Sequence, residues 1–452
     1  MNRNQADVSR REFIAKGGAI GVAALAAPAV LAACGGSGAS GGGGGGAQDN
    51  LKGPVASDGF ATASAVSVQM SAGTSEAARQ LGLQAKSPNY NAVDSAELAD
   101  ISQLSAQGVT AVSTLILDNG ITRQIAEACV RDKLYLSTWA QMGAWVVPSE
   151  PGIAYHYQGL ANPPEGAYFN CVNMFKALGG KGKFVHISGA GGSATSKAKD
   201  RAVDKALRKY PHIELVARQY GNYDRTTTDN VLTNIISQAG GKIDAVYCQS
   251  DDSGTGALDA LRKRGLIGKV LVAGADGIPE FIDAIIKGEA YGTEGAAGFY
   301  GGGYTVIQAL DASAGHKPNP AETLMVQDLL LVDNKASAQA YKALALQANA
   351  PRSLFDYKKM SRVLHPDDWD PQWPIRTFDP DQFWTANQGI PKPTGYSLPS
   401  NYVSAAGNGG RTKVDQEFAS HLKKFPLQEV ARKSRTQKTV FEQLDAAGIS
   451  AI

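Results

Sequence analysis

From about residue 60 to residue 332, short apolar runs alternate with stretches that have the period of amphipathic helices. The apolar runs are continuous, which is typical of strands buried on both faces of a parallel sheet. A parallel sheet covered by helices is an α/β, doubly wound unit, and 452 residues are enough for two such units. The predicted strands are 109–117, 134–139, 183–188, 213–218, 243–249 and 269–275. The predicted helices are 62–81, 94–107, 120–132, 196–209, 226–239, 253–264 and 278–287.

Local signals mark some of the boundaries. Asp94 with Glu97 three residues later predicts a capping box at the start of a helix, and Gly82 predicts a helix end. Four prolines interrupt the alternation between residues 143 and 168, so the boundary between the two units is predicted there.

The last quarter of the chain has a different composition. Residues 349–410 are rich in Pro, Asp, Asn and aromatic side chains and have no clear period, while helices are predicted at 413–424 and 427–447. Three roles are open for the region 336–452: it could pack on one of the units, extend a binding site with the aromatic residues Trp369 to Trp384, or contact a partner.

Charge and motif content exclude several classes of function. The chain has 44 Lys+Arg against 42 Asp+Glu, interspersed along the sequence, so it lacks the electrostatic footprint of a nucleic-acid binder. It has no Cys-x-x-Cys or His-x-x-x-His motif and no Gly-x-Ser-x-Gly nucleophile elbow between a strand and a helix, so no local motif predicts a zinc, redox or hydrolase site. Cys129, Cys171 and Cys248 lie in apolar or helical contexts and are predicted to be small buried hydrophobic residues, although a disulfide between two of them stays open.

The first fifty residues have the pattern of an export signal. Arg10-Arg11 precede an apolar, Gly/Ala-rich stretch, which resembles a twin-arginine signal; the alternative, a membrane anchor, is disfavoured by the short run and by Pro28. The stretch ends in Leu-Ala-Ala-Cys34-Gly, which resembles a lipoprotein cleavage site with a diacylglycerol on Cys34, rather than a chance cysteine at an ordinary cleavage site. We therefore predict a signal peptide over 1–33 and a Gly-rich flexible tether over 34–50.

Two short motifs could carry other chemistry. Gly189 to Ala194 follow a predicted strand, precede a helix and fit the dinucleotide fingerprint G-x-G-x-x-A. The fingerprint also requires an acidic residue at the end of the next strand, where this chain has Arg218, so a plain tight turn is the alternative. Asp368, Asp370 and Gln372 have the alternate spacing of a calcium loop but lack its terminal glutamate, and a solvated loop is the alternative interpretation.

The central motifs identify a family. The run Ile243-Asp-Ala-Val-Tyr-Cys-Gln-Ser-Asp-Asp-Ser-Gly-Thr-Gly-Ala-Leu258, followed by Val272-Ala-Gly-Ala-Asp-Gly-Ile-Pro279, resembles the ribose-binding branch of periplasmic sugar-binding proteins, the type I solute receptors of ABC importers. The similarity covers roughly residues 60–335 and is densest over 178–293. It implies two Rossmann-like lobes joined by three crossings near residues 160, 293 and 325, with a ligand cleft between them that closes around the ligand.

The resemblance divides the chain and implies site residues. The expected parts are an amino-terminal lobe (51–160 and 294–325), a carboxyl-terminal lobe (161–293 and 326–335) and a carboxyl-terminal extension (336–452). The family positions imply that Arg201 binds sugar hydroxyls, that Tyr223 forms an aromatic wall, that Ser250 replaces a usual asparagine, and that Asp276 accepts two hydroxyls. Trp139 is expected to supply a second ring wall, because the amino-terminal lobe lacks the family's usual aromatic residues.

Together these features predict a monomeric, non-catalytic receptor without metal or cofactor. It would be exported, held at the membrane by its lipid, and would pass a sugar or polyol to an ABC permease. Two alternatives stay open: an exported oxidoreductase with a nucleotide at Gly189 to Ala194, and a sensory receptor for a sugar.

Overall fold

The computed structural model describes residues 53–61, 64–140, 146–150, 152, 155–160, 164–295, 298–346, 354–381, 392 and 394–449. The predicted export signal, the tether and Cys34 lie outside this part of the chain. Within it, no helix has both the length and the apolar character needed to cross a membrane.

The strands form two separate sheets. The first contains β1 (Val55–Asp58), β2 (Ala85–Lys86), β3 (Ala111–Thr114), β4 (Tyr135–Trp139), β5 (Tyr155–Leu160), β11 (Leu324–Gln327) and β13 (Ile375–Thr377), in the spatial order β13-β11-β5-β4-β3-β1-β2. The second contains β6 (Lys181–Ser188), β7 (His212–Tyr220), β8 (Ala245–Cys248), β9 (Leu271–Asp276), β10 (Gly292–Gly295) and β12 (Leu330–Val332), in the order β12-β10-β9-β8-β6-β7. Only β13 and β12 pair antiparallel to their neighbours among these strands. The α/β architecture with two parallel sheets is confirmed.

The helices follow the strands in alternation. They are α1 (Ala65–Leu81), α2 (Asp94–Ala106), α3 (Thr122–Asp132), α4 (Pro164–Ala177), α5 (Ala194–Lys209), α6 (Arg225–Gln238), α7 (Asp251–Lys263), α8 (Pro279–Lys287), α9 (Gly298–Ser313), α10 (Lys335–Ala345), α11 (Ser400–Ala406), α12 (Gly410–His421), α13 (Gln428–Lys433) and α14 (Val440–Ala447). Side-chain caps start several of them, as Ser193 does for α5 and Ser250 for α7. Gly82 ends α1 in the left-handed conformation, as the sequence predicts.

Up to β12 the chain crosses between the two sheets three times, and β13 then brings it back to the first sheet. It passes to the second sheet between β5 and α4, returns between β10 and α9, and passes over again between β11 and β12. We call the first sheet with its helices the amino-terminal lobe and the second sheet with its helices the carboxyl-terminal lobe. The carboxyl ends of the parallel strands are the edges at which α/β proteins bind ligands.

The region after residue 335 packs on both lobes. In the amino-terminal lobe β13 extends the sheet beside β11, and in the carboxyl-terminal lobe α10 packs on α8 and α14 packs on α4. Tyr341, Tyr357 and Trp373 from this region are fully buried in the largest hydrophobic core. Trp369 is buried as well and stacks on His421, and neither Trp369 nor Trp373 lines the cavity between the lobes. Trp384 lies outside the described residues.

Three local predictions were wrong. Val93 precedes α2 without a side-chain cap, and Glu97 turns inward to accept a hydrogen bond from the Thr114 hydroxyl at 2.8 Å, so no capping box forms. The predicted helix 427–447 is divided into α13 and α14 by the turn over residues 434–439. The first strand, β1, was not predicted, because its polar end Ser57-Asp58 gives it no apolar pattern; it lies inside its sheet, between β3 and β2.

The three cysteines of the lobes agree with their prediction. Cys129, Cys171 and Cys248 are buried and unpaired. Burial raises the pKa of the Cys129 thiol to about 12, so this thiol stays protonated and behaves as a small hydrophobic group.

Candidate binding cleft between the lobes

A cavity lies between the two lobes, at the carboxyl ends of their parallel strands. The amino-terminal lobe contributes Phe60, Ser64, Val66, Leu115, Leu117 and Ala140 to its lining. The carboxyl-terminal lobe contributes Thr195, Lys199, Tyr223, Gln249, Ser250, Asp252 and Asp276. Three of the five residues predicted to bind ligand, Tyr223, Ser250 and Asp276, therefore meet at one cavity.

Tyr223 forms one wall of the cavity. It lies in the turn between β7 and α6, and both Asn222 and Tyr223 adopt the left-handed backbone conformation, with φ of 55° and 57°. The ring packs directly on Gly189, where an added Cβ would lie 2.1 Å from the Tyr223 ring carbon Cζ. The hydroxyl lies 3.3 Å from the Ser193 Oγ, and burial raises the pKa of Tyr223 to about 12. The ring is thus held as a neutral, oriented surface of the kind that stacks on C–H faces of a sugar.

Asp276 is the last residue of β9 and has a φ of 115°, a conformation that L-residues rarely adopt. The turn that follows is held by Asp251, whose Oδ2 accepts hydrogen bonds from the backbone N–H groups of Gly277 at 2.8 Å and Ile278 at 3.0 Å. The Oδ1 of Asp251 accepts from the Thr293 hydroxyl at 2.7 Å. Burial, and then the charge of Asp276, raise the pKa of Asp251 well above its usual range. Strain of this kind is retained mainly at functional positions, because the surrounding structure must hold it.

Gln249 and Ser250 follow strand β8 and line the cavity. The Gln249 Oε1 accepts from the Gly189 N–H at 2.9 Å, and its Nε2 donates to Asp200 Oδ1 at 2.8 Å. The Ser250 Oγ accepts from the Ser253 N–H at 3.2 Å, which caps α7. Gln249 therefore connects the strand-to-helix turn at Gly189 to Asp200 of α5. This role was not predicted, because a single glutamine has no sequence signature.

The cationic residue at the cavity is Lys199 rather than Arg201. Both lie on α5, two residues and therefore about 200° apart around the helix, so they face different directions. Lys199 is 1% exposed, lines the cavity and pairs with Glu294 of β10 at 3.1 Å. Arg201 is half-buried and does not line the cavity. The Tyr247 hydroxyl donates to the other Glu294 oxygen at 2.7 Å, so this carboxylate is bonded at both oxygens.

Trp139 does not line the cavity either. Its side chain is 2% exposed, and its indole N–H donates to Gln327 Oε1 at 3.3 Å. The ring lies against Gly301 of α9, where an added Cβ would lie 1.9 Å from the indole nitrogen. Trp139 therefore packs in the amino-terminal lobe next to the crossing after β11. Phe60 is the aromatic residue that this lobe presents to the cavity among the described residues.

The two lobes touch each other around the cavity. Asn119 Oδ1 accepts from the Ala194 N–H at 3.0 Å, and the Thr195 hydroxyl donates to the Ala140 carbonyl at 3.2 Å. On another side the Ala65 N–H donates to Asp252 Oδ2 at 3.5 Å, and burial raises the pKa of Asp252 to about 6. These hydrogen bonds hold the two lobes together around the cavity.

Backbone amide groups in and just after the glycine-rich turn at 189–194 donate hydrogen bonds within the protein. The Ser193 N–H donates to the Ala190 carbonyl at 3.1 Å, the Ala194 N–H to Asn119, and the Ser196 N–H to Ser193 Oγ at 3.1 Å. A dinucleotide would need such amides for its pyrophosphate. The arrangement therefore favours the tight-turn interpretation over a nucleotide site.

The acidic residues of the loop 368–372 also have partners within the protein. Asp370 Oδ1 accepts from the backbone N–H groups of Gln372 at 2.9 Å and Lys423 at 3.2 Å, and Asp368 pairs with Lys359. Within the described residues, no group of His, Cys, Asp and Glu is arranged to hold a metal ion.

The chain belongs to the periplasmic binding protein domain family, whose family model matches residues 54–330. Part of the chain is 38% identical over 120 residues to a xylitol-binding protein of Mycolicibacterium smegmatis, covering 26% of this chain and 34% of that protein. The chain is also 36% identical over 112 residues to a D-allose-binding periplasmic protein of Escherichia coli, covering 25% of this chain and 36% of that protein. The matched segments thus span about a third of the length of these relatives.

Solved structures show the same fold. A twin-arginine translocation pathway signal protein from Burkholderia phytofirmans superimposes with a TM-score of 0.62 at 23% identity, covering 66% of this chain and 95% of that one. An ABC transporter periplasmic solute binding protein from Actinobacillus succinogenes with bound D-allose gives a TM-score of 0.57 at 22% identity, covering 64% of this chain and all of that one. The predicted type I fold and the predicted family are confirmed.

Proposed function

We propose that the chain is an exported, non-catalytic receptor that binds a sugar or polyol between its lobes and delivers it to an ABC permease. The observation that carries this proposal is the cavity that Asp276, with its strained backbone, and Tyr223 both line. A carboxylate accepts two vicinal hydroxyls, and an aromatic ring packs on the C–H face of the same molecule. The relatives are named for xylitol and D-allose, which offer this combination of groups.

The binding test is a thermal-shift screen of the chain from residue 34, with Cys34→Ser replacing the lipidated residue. The panel contains xylitol, D-allose, D-ribose, myo-inositol, NAD and NADP. A ligand present at about 100 times its Kd stabilises the protein by about 2.7 kcal/mol, which is a clear shift. We expect a response to at least one sugar or polyol, lost in Asp276→Asn. Asp229→Asn is the control, because Asp229 pairs with Lys263 on the surface away from the cavity. A response to NAD or NADP alone contradicts the proposal.

We further propose that Cys34 carries the lipid that holds the receptor near its permease. The Leu-Ala-Ala-Cys34-Gly motif and the Gly-rich segment after it support this assignment. Metabolic labelling with a fatty acid should mark the wild-type protein and not Cys34→Ala. Detergent partitioning should move the same variant to the aqueous phase, and uptake of the bound sugar should fall with it. Labelling that persists in Cys34→Ala would exclude this anchor.

A further inference from the structure

The two walls of the cavity differ in chemistry. The carboxyl-terminal lobe presents hydroxyl, amide, ammonium and carboxylate groups from Thr195 to Asp276. Among the described residues, the amino-terminal lobe presents five apolar side chains, and these are Phe60, Val66, Leu115, Leu117 and Ala140. Ser64 is the polar lining residue of that lobe among those described, and its Oγ already accepts from the Ser67 N–H as the cap of α1.

The apolar wall is fixed in place rather than formed by loose side chains. The Tyr90 hydroxyl donates to the Leu115 carbonyl at 2.5 Å and accepts from the Leu117 N–H at 3.2 Å. Tyr90 is itself 1% exposed, so the loop that carries both leucines is anchored from beneath. Val66 and Leu115 pack with Met70 and Trp139 in one small core, which holds the wall from the other side.

A fixed apolar wall discriminates against hydroxyl groups. A hydroxyl buried against it loses its hydrogen bonds to water and gains no partner there, whereas a methyl or methylene group gains from leaving water. A fully hydroxylated sugar presents hydroxyls around its whole rim. Such a sugar would bind the polar wall well and the apolar wall badly when the lobes close.

We propose that the ligand is a deoxy sugar, with vicinal hydroxyls toward Asp276 and a methyl or methylene carbon against Leu115 and Leu117. This inference rests on the proposed function and narrows its ligand class. The carboxyl-terminal lobe supplies the hydrogen bonds, and the amino-terminal lobe selects for the missing hydroxyl.

The test compares pairs of sugars that differ by one oxygen atom. The affinity of each sugar is measured by calorimetry on the chain from residue 34 with Cys34→Ser. The pairs are D-galactose with D-fucose, L-mannose with L-rhamnose, and D-allose with 6-deoxy-D-allose. In the pair that binds, we expect the deoxy member to bind at least tenfold more tightly. Leu117→Asn places an amide in the wall and should reduce that ratio toward one. Leu215→Asn, at an exposed leucine on β7, is the control and should leave the ratio unchanged.

The outcomes separate the two proposals. If the hydroxylated member binds as tightly as its deoxy partner, the deoxy inference is overturned while the receptor proposal stands. If no sugar or polyol of either panel binds, the receptor proposal fails and the inference with it. Leu117 is partly exposed, so its variant is expected to fold, and the wild-type ratio decides the question without the variant.

Discussion

Lys199 and Glu294 form a buried ion pair at the edge of the cleft, with the lysine Nζ 3.1 Å from the glutamate Oε2. The pair joins α5 to β10, the strand that leads into the second crossing between the lobes. Because Lys199 also lines the cavity, Glu294 holds its ammonium in a fixed place beside the cavity.

The interaction energy between Lys199 and Glu294 can be measured by a double-mutant cycle. Removing one partner leaves the other charge buried without compensation, so Lys199→Met and Glu294→Gln should each destabilise the protein by about 3–5 kcal/mol. The double variant should lose far less than the sum of the two. Urea unfolding of the four proteins tests this, and purely additive losses would show that the two charges do not interact.

Substitutions at Asp276 should change stability and binding in opposite directions. Its φ of 115° suits glycine, and its charge lies near the buried Asp251. Asp276→Gly relieves both costs, so the ligand-free protein should gain about 1 kcal/mol or more in unfolding free energy. Sugar binding should be lost in the same variant. A ligand-free Asp276→Gly protein that melts below the wild type would mean that the backbone at this position is not strained.

The position of the Tyr223 ring should depend on the absence of a side chain at Gly189. An added Cβ at Gly189 would lie 2.1 Å from the ring, whereas at Gly191 the nearest atom, in Tyr220, is 3.8 Å away. Gly189→Ala should therefore displace the ring and weaken sugar binding at least tenfold, while Gly191→Ala should leave the Kd within about twofold of wild type. Calorimetric titration of both variants measures this difference. Equal affinities would indicate that the ring does not contact the ligand.

The sequence predicted the central fold because its strands are buried on both faces and its helices have an amphipathic period. Strands β3, β4 and β6 to β9 fall within or beside the predicted runs. Strand β1 was missed because its last residues, Ser57 and Asp58, are polar yet fully buried, and an apolar pattern cannot reveal a buried polar strand end. The extension was left open because its contacts, such as Trp373 with the Asp328 carbonyl at 2.9 Å, are set by tertiary packing rather than by a local period.

At the site, the sequence predicts the positions of residues at strand ends better than the positions of residues on helices. Ser250 and Asp276 follow or end a strand, where position along the chain sets position at the cleft edge. On α5 a two-residue difference reverses the side-chain direction, which is why Lys199 rather than Arg201 lines the cavity. Trp139 ends β4 but turns into its own lobe, and only its contact with Gly301 reveals this.

Buried carboxyl groups in the amino-terminal lobe should make the protein less stable as the pH rises. Burial, and then the charges of Glu97 and Asp100, raise the pKa of Asp58 to about 9. Burial raises the pKa of Glu97 to about 8, partly offset by its hydrogen bond from Thr114. Neither carboxylate oxygen of Asp58 has a hydrogen-bond partner in the described structure, so nothing there stabilises its ionised form.

The direction of the effect follows from proton linkage. Between about pH 4 and pH 9 the native state keeps a proton on Asp58 that the unfolded chain has lost. Unfolding then releases that proton, so the free energy of unfolding falls as pH rises, by at most about 1.4 kcal/mol per pH unit for each such group. Asp58→Asn cannot ionise and should match the wild type near pH 4 but exceed its stability at pH 8. Denaturant unfolding at pH 4, 6 and 8 measures the difference between the two proteins.

Asp132→Asn is the control for this prediction. Asp132 is on the surface, where its hydrogen bond from Arg131 lowers its pKa, so its loss should have a small effect that acts in the opposite direction with pH. The difference between the wild type and Asp58→Asn isolates the buried group from other carboxyls with raised pKa values, such as Asp328 at about 7. If that difference stays constant from pH 4 to pH 8, the pKa of Asp58 is not raised in the native state and the prediction is wrong.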